Sequence, residues 1–138
     1  MSMDLQELRT LSSSAAFNRW CGIEVESAAP GSVQLALPWR AEFARASGQL
    51  HAGLIGALVD SAAGLAAWTL VGPVLASHFA VDCLRSHAAE RFTVKAKVVW
   101  AEGPAVVVAC DLFASSNGED DVRVATGEVT ATVVSETT

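Results

Sequence analysis

The sequence predicts an α+β fold in which a mostly antiparallel sheet curls around one long apolar helix. Three features predict it: segments with strand-like alternation, a single unbroken apolar stretch of helical length in mid-chain, and turn residues between them. At 138 residues the chain has the size of one domain, and residues 1–138 are read as such.

Leu5, Leu8 and Leu11 recur at helical spacing, so residues 4–17 should form a short amphipathic helix over the outside of the domain. Ile23 and Val25 then alternate with Glu24 and Glu26. After the turn pair Pro30-Gly31, Val33, Leu35 and Leu37 alternate with Ser32, Gln34 and Ala36. That is a β-hairpin, closed by Pro38, and residues 39–50 follow as a loop. From Ala52 to about Leu70 only tolerated glycines interrupt a helix, until Gly72-Pro73 ends it. Strands are expected at 77–84, 92–101, 105–114 and 122–134. Turns at Glu102-Gly103-Pro104 and Ser116-Asn117-Gly118 make the last three a meander. The economical arrangement is a curved sheet of five to six strands wrapped around the central helix.

Hydrophobic residues make up 51% of the chain and the mean hydropathy is +0.37, more than a small monomer needs for its interior. The surplus implies a subunit interface, so a homodimer is expected; a tetramer of paired dimers is the assembly favoured, with dimer and tetramer both left open by the sequence. Nine Lys and Arg against fifteen Asp and Glu give a charge of −6, which disfavours broad attraction to nucleic acid or anionic membrane. The uncharged stretch 61–81 is rich in Ala, is broken by Gly72 and Pro73, and lacks flanking basic anchors. It reads as a buried helix and a strand, not a membrane span. Residues 1–10 carry Asp4, Glu7 and Arg9 without an apolar run, so a cytoplasmic location is expected. Cys21, Cys83 and Cys110 are odd in number and sit among apolar neighbours, which suggests buried thiols in a reducing compartment. His78 and His87 have no partner spacing, so no metal site is expected.

On a helical wheel Leu54, Ile55, Leu58, Leu65 and Trp68 share one side, expected to pack on the sheet. The remaining arc holds Gly53, Gly56, Ala57, Asp60, Ala63, Gly64 and Ala67. Asp60 is thus a lone carboxylate among small apolar residues. Burying it unpaired costs roughly several kcal/mol, which favours a reactive group over a merely structural one. Burial would raise its pKa toward the range of a general base. The helix start supplies amides at Ala52 and Gly53 without intrahelical acceptors, able to polarise a carbonyl oxygen. Seven or eight residues at about 1.5 Å each separate those amides from Asp60 by roughly 10–12 Å, too far to serve one carbonyl. A composite site at a dimer interface is therefore expected, with the amides of one subunit facing the carboxylate of the other.

The run Gln49-Leu50-His51-Ala52-Gly53-Leu54-Ile55-Gly56-Ala57-Leu58-Val59-Asp60 resembles the His-Gly-Gly motif of hotdog-fold thioesterases of the phenylacetate-degradation (PaaI-like, 4-hydroxybenzoyl-CoA thioesterase) superfamily. The acid stands nine residues after the histidine. Val81-Asp82-Cys83-Leu84-Arg85 resembles the strand end placed beside acyl-CoA in those enzymes, and the element order agrees over nearly the whole chain. The resemblance implies hydrolysis of an acyl-CoA, with CoA as part of the substrate and no separate cofactor. It implies Asp60 as nucleophile or general base, the Ala52 amide (with Gly53) as oxyanion donor, His51 as an orienting residue and Ser77 as holder of the attacking water. Arg45, Gln49, Ser61, Gly64, Trp68, Arg85 and His87 are the substrate-binding candidates, with Arg85 and His87 placed for CoA phosphates. Two positions depart from the pattern: Ala52 replaces the second motif glycine, and Arg45 stands where many relatives carry asparagine. Those departures keep a non-catalytic acyl-CoA binding module open as an alternative. A hotdog hydratase or dehydratase fits less well, because His51 and Asp60 fall on opposite sides of the wheel.

Overall fold

A computed structural model describes residues 3–134. Helix α1 (Leu5–Ser14) opens on Asp4, whose carboxylate accepts from the Glu7 amide at 2.8 Å. The expected single N-terminal helix is instead two: the backbone turns extended at Ala15, and α2 (Ala16–Cys21) follows, closed by left-handed Gly22. Side chains end α1. Ser13 and Ser14 bond back to the carbonyls of Thr10 and Leu11, while Asn18 and Arg19 donate to the carbonyls of Ser12, Ser13 and Ser14.

The hairpin β1 (Glu24–Ala29) and β2 (Ser32–Pro38) turns at Pro30-Gly31, where Gly31 takes φ +78° and its amide donates to Thr69 of the central helix at 2.7 Å. After a short 3-10 turn at Ala41–Phe43 comes α3 (Ala52–Val71), then β3 (Val74–Cys83), β4 (Arg91–Glu102), β5 (Ala105–Ser115) and β6 (Val122–Val133). All six strands join one antiparallel sheet in the order β1-β2-β4-β5-β6-β3. The meander β4-β5-β6 forms its centre, and β3 is an edge strand paired only with β6.

Helix α3 lies across one face of this sheet, touching β2 through β6. Alternate residues of β5 (Val106, Val108, Cys110, Leu112, Ala114) point at it and are buried, together with Val33, Leu35 and Leu37 of β2 and Val94 of β4. Although α3 is long and apolar enough to cross a membrane, its inner side is this core.

The helix is buried differently from the wheel expectation. Gly56, Ala63 and Ala67 are buried, the first beneath the Phe79 ring of β3, whereas Leu54 and Trp68 are only half-buried. The least covered stripe is Gly53, Ala57, Asp60, Gly64 and Trp68, spaced by three or four residues, with Gly53 and Asp60 exposed and the other three half-buried. A helix with one charged residue in twenty has no polar pole to orient the wheel, so the sheet's shape decides which side is covered.

Candidate active site

The site is built from the start of α3 and the chain on either side of it. Residues 43–51 form a tight hairpin: His51 N–H donates to the Phe43 carbonyl, Ala44 bridges Leu50, Arg45 N–H donates to the Gln49 carbonyl at 2.7 Å, and Gly48 turns with φ +86°. That hairpin delivers His51 to the N-cap. The His51 Nδ1 accepts from the Gly53 amide at 2.9 Å, so the ring folds back over the first turn. A side chain at 53 would bring its Cβ to 3.0 Å from the ring, which explains the glycine two residues after the histidine. Of the two amides expected to be free, Gly53 is thus committed to the cap. Ala52 N–H has no acceptor among the described residues.

Beside Ala52 lies a cavity of about 530 Å³ between the hairpin, the helix start and the segment after β3. Trp39, Leu50, Ile55, Leu84, Phe92 and Val124 give it apolar walls, and Arg45, Arg85 and His87 bring positive or protonatable groups. No aspartate or glutamate lines it, in a chain carrying fifteen of them. Its Trp39 wall continues outward as an aromatic series: Trp39 meets Phe92 and Phe43, and the Arg40 guanidinium lies over Phe43 and Trp20 at 4.5 and 5.3 Å.

Five of the site residues expected from sequence therefore meet: Arg45, Gln49, Ala52, Arg85 and His87. Others do not join them. Asp60 is eight residues further along α3, about 12 Å away, and in the single chain it is exposed rather than buried. The sheet covers the opposite side of α3, and no described residue buries this carboxylate. Ser61 is half-buried and its hydroxyl points toward Asn18 of α2 at 3.5 Å, away from the cavity. Ser77 occupies a β-bulge and donates to the Thr130 carbonyl at 3.1 Å, a strand-edge role, and it is not among the residues lining the cavity. Gly64 and Trp68 share the least covered stripe with Asp60, and nothing in the chain lies within 4 Å of a Cβ placed at Gly64.

The cysteines correct one expectation. Cys21 and Cys110 are buried, and burial raises both thiols. For Cys110 the value reaches about 12, with the charges of Asp111 and Asp60 adding to it. Cys83 is exposed and lines the cavity, a residue that reasoning from apolar neighbours missed. Its side chain faces the α3 side of the sheet but stands at the end of β3, past the helix start, where no core covers it.

The profile of the Thioesterase superfamily matches residues 47–120, which take in the second half of the hairpin, α3 and strands β3 to β5. The chain belongs to the thioesterase superfamily. Its architecture is the hotdog fold. A thioesterase-family protein from Silicibacter pomeroyi superposes with a TM-score of 0.86 at 29% identity, covering 92% of this chain and 95% of that one. A Haemophilus influenzae thioesterase gives 0.85 at 20% identity, covering 97% and 92%. The Escherichia coli PaaI protein of the phenylacetic acid degradation operon gives 0.82 at 18%, covering 96% and 97%. At those last two identities the likeness speaks for the fold alone. No curated protein sequence matches the chain significantly.

Proposed function

We propose that this superfamily member hydrolyses acyl-CoA thioesters at a site completed by a second copy of the chain. The observation that carries the proposal is the unsatisfied Ala52 amide beside a carboxylate-free cavity holding Arg45, Arg85 and His87. In an acidic chain, such a lining suits a polyphosphorylated ligand with an apolar tail. The thioester oxygen would lie against the Ala52 N–H at the positive end of a 20-residue helix, where negative charge developing on that oxygen is stabilised.

Asp60 of the partner subunit then acts in one of two ways. Its carboxylate adds to the thioester carbon, expelling CoA thiolate and leaving an anhydride that water cleaves. Alternatively it takes a proton from water as that water adds, and the C–S bond breaks with the proton passing to CoA. Neither route requires a cofactor beyond the CoA carried by the substrate. The least covered Gly53-Ala57-Asp60-Gly64 stripe supports a twofold mate, as does β3, an edge strand with Leu75 70% and Phe79 48% exposed and no Lys or Pro within it. The proposed setting is cytoplasmic, which the three unpaired cysteines suit.

Steady-state hydrolysis across a panel of acyl-CoA esters tests the chemistry. Asp60→Asn should lower kcat by about 10²–10⁴, and rates equal to wild type would remove Asp60 from the mechanism. Tight binding of the esters by wild type without turnover would make the protein a binding module instead. The shared site has its own test, because Ala52 is the first helical residue, where proline is tolerated, and His51 already holds φ −63°, ψ 130°. Ala52→Pro should therefore delete the amide without breaking α3. Mixing inactive Ala52→Pro with inactive Asp60→Asn should restore activity, since each mixed dimer keeps one intact site. A mixture as dead as its components would refute the shared site.

A further inference from the structure

The guanidinium groups of this chain divide into two kinds. Arg9 and Arg19 donate to backbone carbonyls, Arg40 lies over aromatic rings, and Arg123 pairs with Asp111. Arg45, Arg85 and Arg91 have no side-chain hydrogen bond or ion pair among the described residues, and the first two line the cavity beside Ala52. They come from different walls. Arg85 stands with His87 on the segment after β3, whereas Arg45 stands on the hairpin, where its amide donates to the Gln49 carbonyl at 2.7 Å and its carbonyl accepts from Gly48 at 2.8 Å. Both backbone groups of Arg45 are thus held, which fixes the root of its side chain relative to the helix start. Phe43, two residues earlier, pairs with His51, and Ala52 follows, so the Arg45 Cα lies about 10–12 Å from the Ala52 amide. An exposed arginine without a partner is ordinary where bulk water satisfies it. Arg45 differs in its place, because it faces a cavity that no carboxylate of the chain lines and whose neighbouring wall residues, Leu50 and Ile55, are apolar.

We propose, resting on the acyl-CoA reading above, that the acyl group taken by this site ends in a carboxylate bound by Arg45, which makes the substrate the CoA monothioester of a dicarboxylic acid. With the thioester oxygen on the Ala52 N–H, an acyl chain of a few carbons covers the distance to Arg45. Its terminal carboxylate meets the guanidinium fork in the bidentate geometry that arginine favours, and Leu50 and Ile55 suit its methylene spacer. The phosphates of CoA stand at the far end of the pantetheine arm, a longer chain than that span, and Arg85 and His87 on the other wall are left for them. A neutral acyl group of the same length leaves the Arg45 charge without compensation once a second copy closes the site, and stripping water from an unpaired cation is unfavourable. Discrimination therefore comes from the loss of water as much as from attraction between the charges. Water added across the C–S bond releases the dicarboxylic acid and CoA.

The test compares monothioesters of glutaric and adipic acid with their ω-methyl esters, which keep the chain and lack the charge. Each acyl group is presented on CoA and on N-acetylcysteamine, a carrier without phosphate. Wild type should favour the free acids by about 10–100-fold in kcat/KM on both carriers. Arg45→Gln should bring that ratio close to one and Arg45→Lys should keep part of it, with circular dichroism as a control for folding. A wild-type ratio near one, with neutral esters still hydrolysed, would overturn the dicarboxylate assignment and leave the thioesterase reading standing. A loss in Arg45→Gln that is equal for both acyl classes would overturn it as well. Confined to the CoA esters, such a loss assigns Arg45 to the phosphates; shared by both carriers, it assigns Arg45 to Asp60 of the partner subunit. If no ester turns over, titration calorimetry with the same CoA esters decides. Tighter binding of the free acids by wild type than by Arg45→Gln then upholds the carboxylate contact while the thioesterase reading fails, and equal binding overturns both.

Discussion

Two glycine-to-alanine substitutions separate packing within the chain from packing against a second copy. Gly127 sits in β6 between Cys110 of β5 and Val81 of β3. A Cβ there would lie 3.1 Å from the Ala80 carbonyl oxygen and 3.1 Å from Val59 Cγ1, with Val81 Cγ2 at 3.4 Å. The first neighbour is backbone held in a strand ladder, and the second belongs to α3 directly before Asp60, so neither yields by simple rotation. Overpacking of this kind costs about 1–3 kcal/mol, against about 0.5–1 kcal/mol returned by removing glycine from a strand interior. The net expectation for Gly127→Ala is a loss of about 0.5–2 kcal/mol, or a Tm lower by about 2–8 °C at this chain length. Gly64→Ala meets open space within its own chain, where helix propensity alone would add up to about 1 kcal/mol, and any shortfall from that gain measures packing by the second copy proposed on this stripe. Thermal and urea unfolding followed by circular dichroism, with unchanged m, give both values. A Gly127→Ala protein as stable as wild type would refute the claim that this glycine sets the distance between helix and sheet. A destabilised Gly64→Ala would show that something outside the chain occupies that space.

The thiols give two further expectations. Cys83 should react rapidly with a thiol reagent in the native protein and be slowed by bound CoA ester, while Cys21 and Cys110 react only on unfolding. Three equally fast thiols would contradict the burial described. Because burial holds the Cys110 thiol protonated up to about 12, the folded state binds more protons than the unfolded state above the ordinary thiol value of about 8.5. Stability present below that pH should therefore decline from about pH 8.5 toward 12, by an amount on the order of 5 kcal/mol at most. Cys110→Ala should flatten this alkaline slope, and an identical slope in the variant would assign the decline elsewhere.

Much of the fold is legible in the sequence because its signals are local. Gly72-Pro73 stops α3 and Pro30-Gly31 turns the first hairpin, and the alternation in β2 and β5 shows directly which residues face the helix. What was misread depends on distant contacts. The break at Ala15 arises from Asn18 and Arg19 reaching back to the end of α1, a pairing that periodicity does not record. The parity of β3 is reset by the bulge at Ser77, so alternation alone cannot show that Phe79 faces α3 or that Cys83 opens on the cavity. In the candidate site, the spacing from His51 to Asp60 already showed that one helix cannot bring amide and carboxylate together. The exposure of Asp60 was hidden because it depends on how far a curved sheet wraps around a helix of almost uniform polarity.

The strand order also constrains how the polypeptide can be made. β3 is synthesised just after α3 but hydrogen-bonds only to β6, some forty residues later and the final strand. Until β6 has emerged from the ribosome, Val74–Cys83 lacks its backbone partner, and its Leu75 and Phe79 have only transient cover. Hotdog biogenesis in this chain is therefore dominated by a late, non-local closure, in the slow regime of sheet-rich topologies. The nascent protein is most vulnerable to aggregation in the interval between emergence of its third strand and of β6.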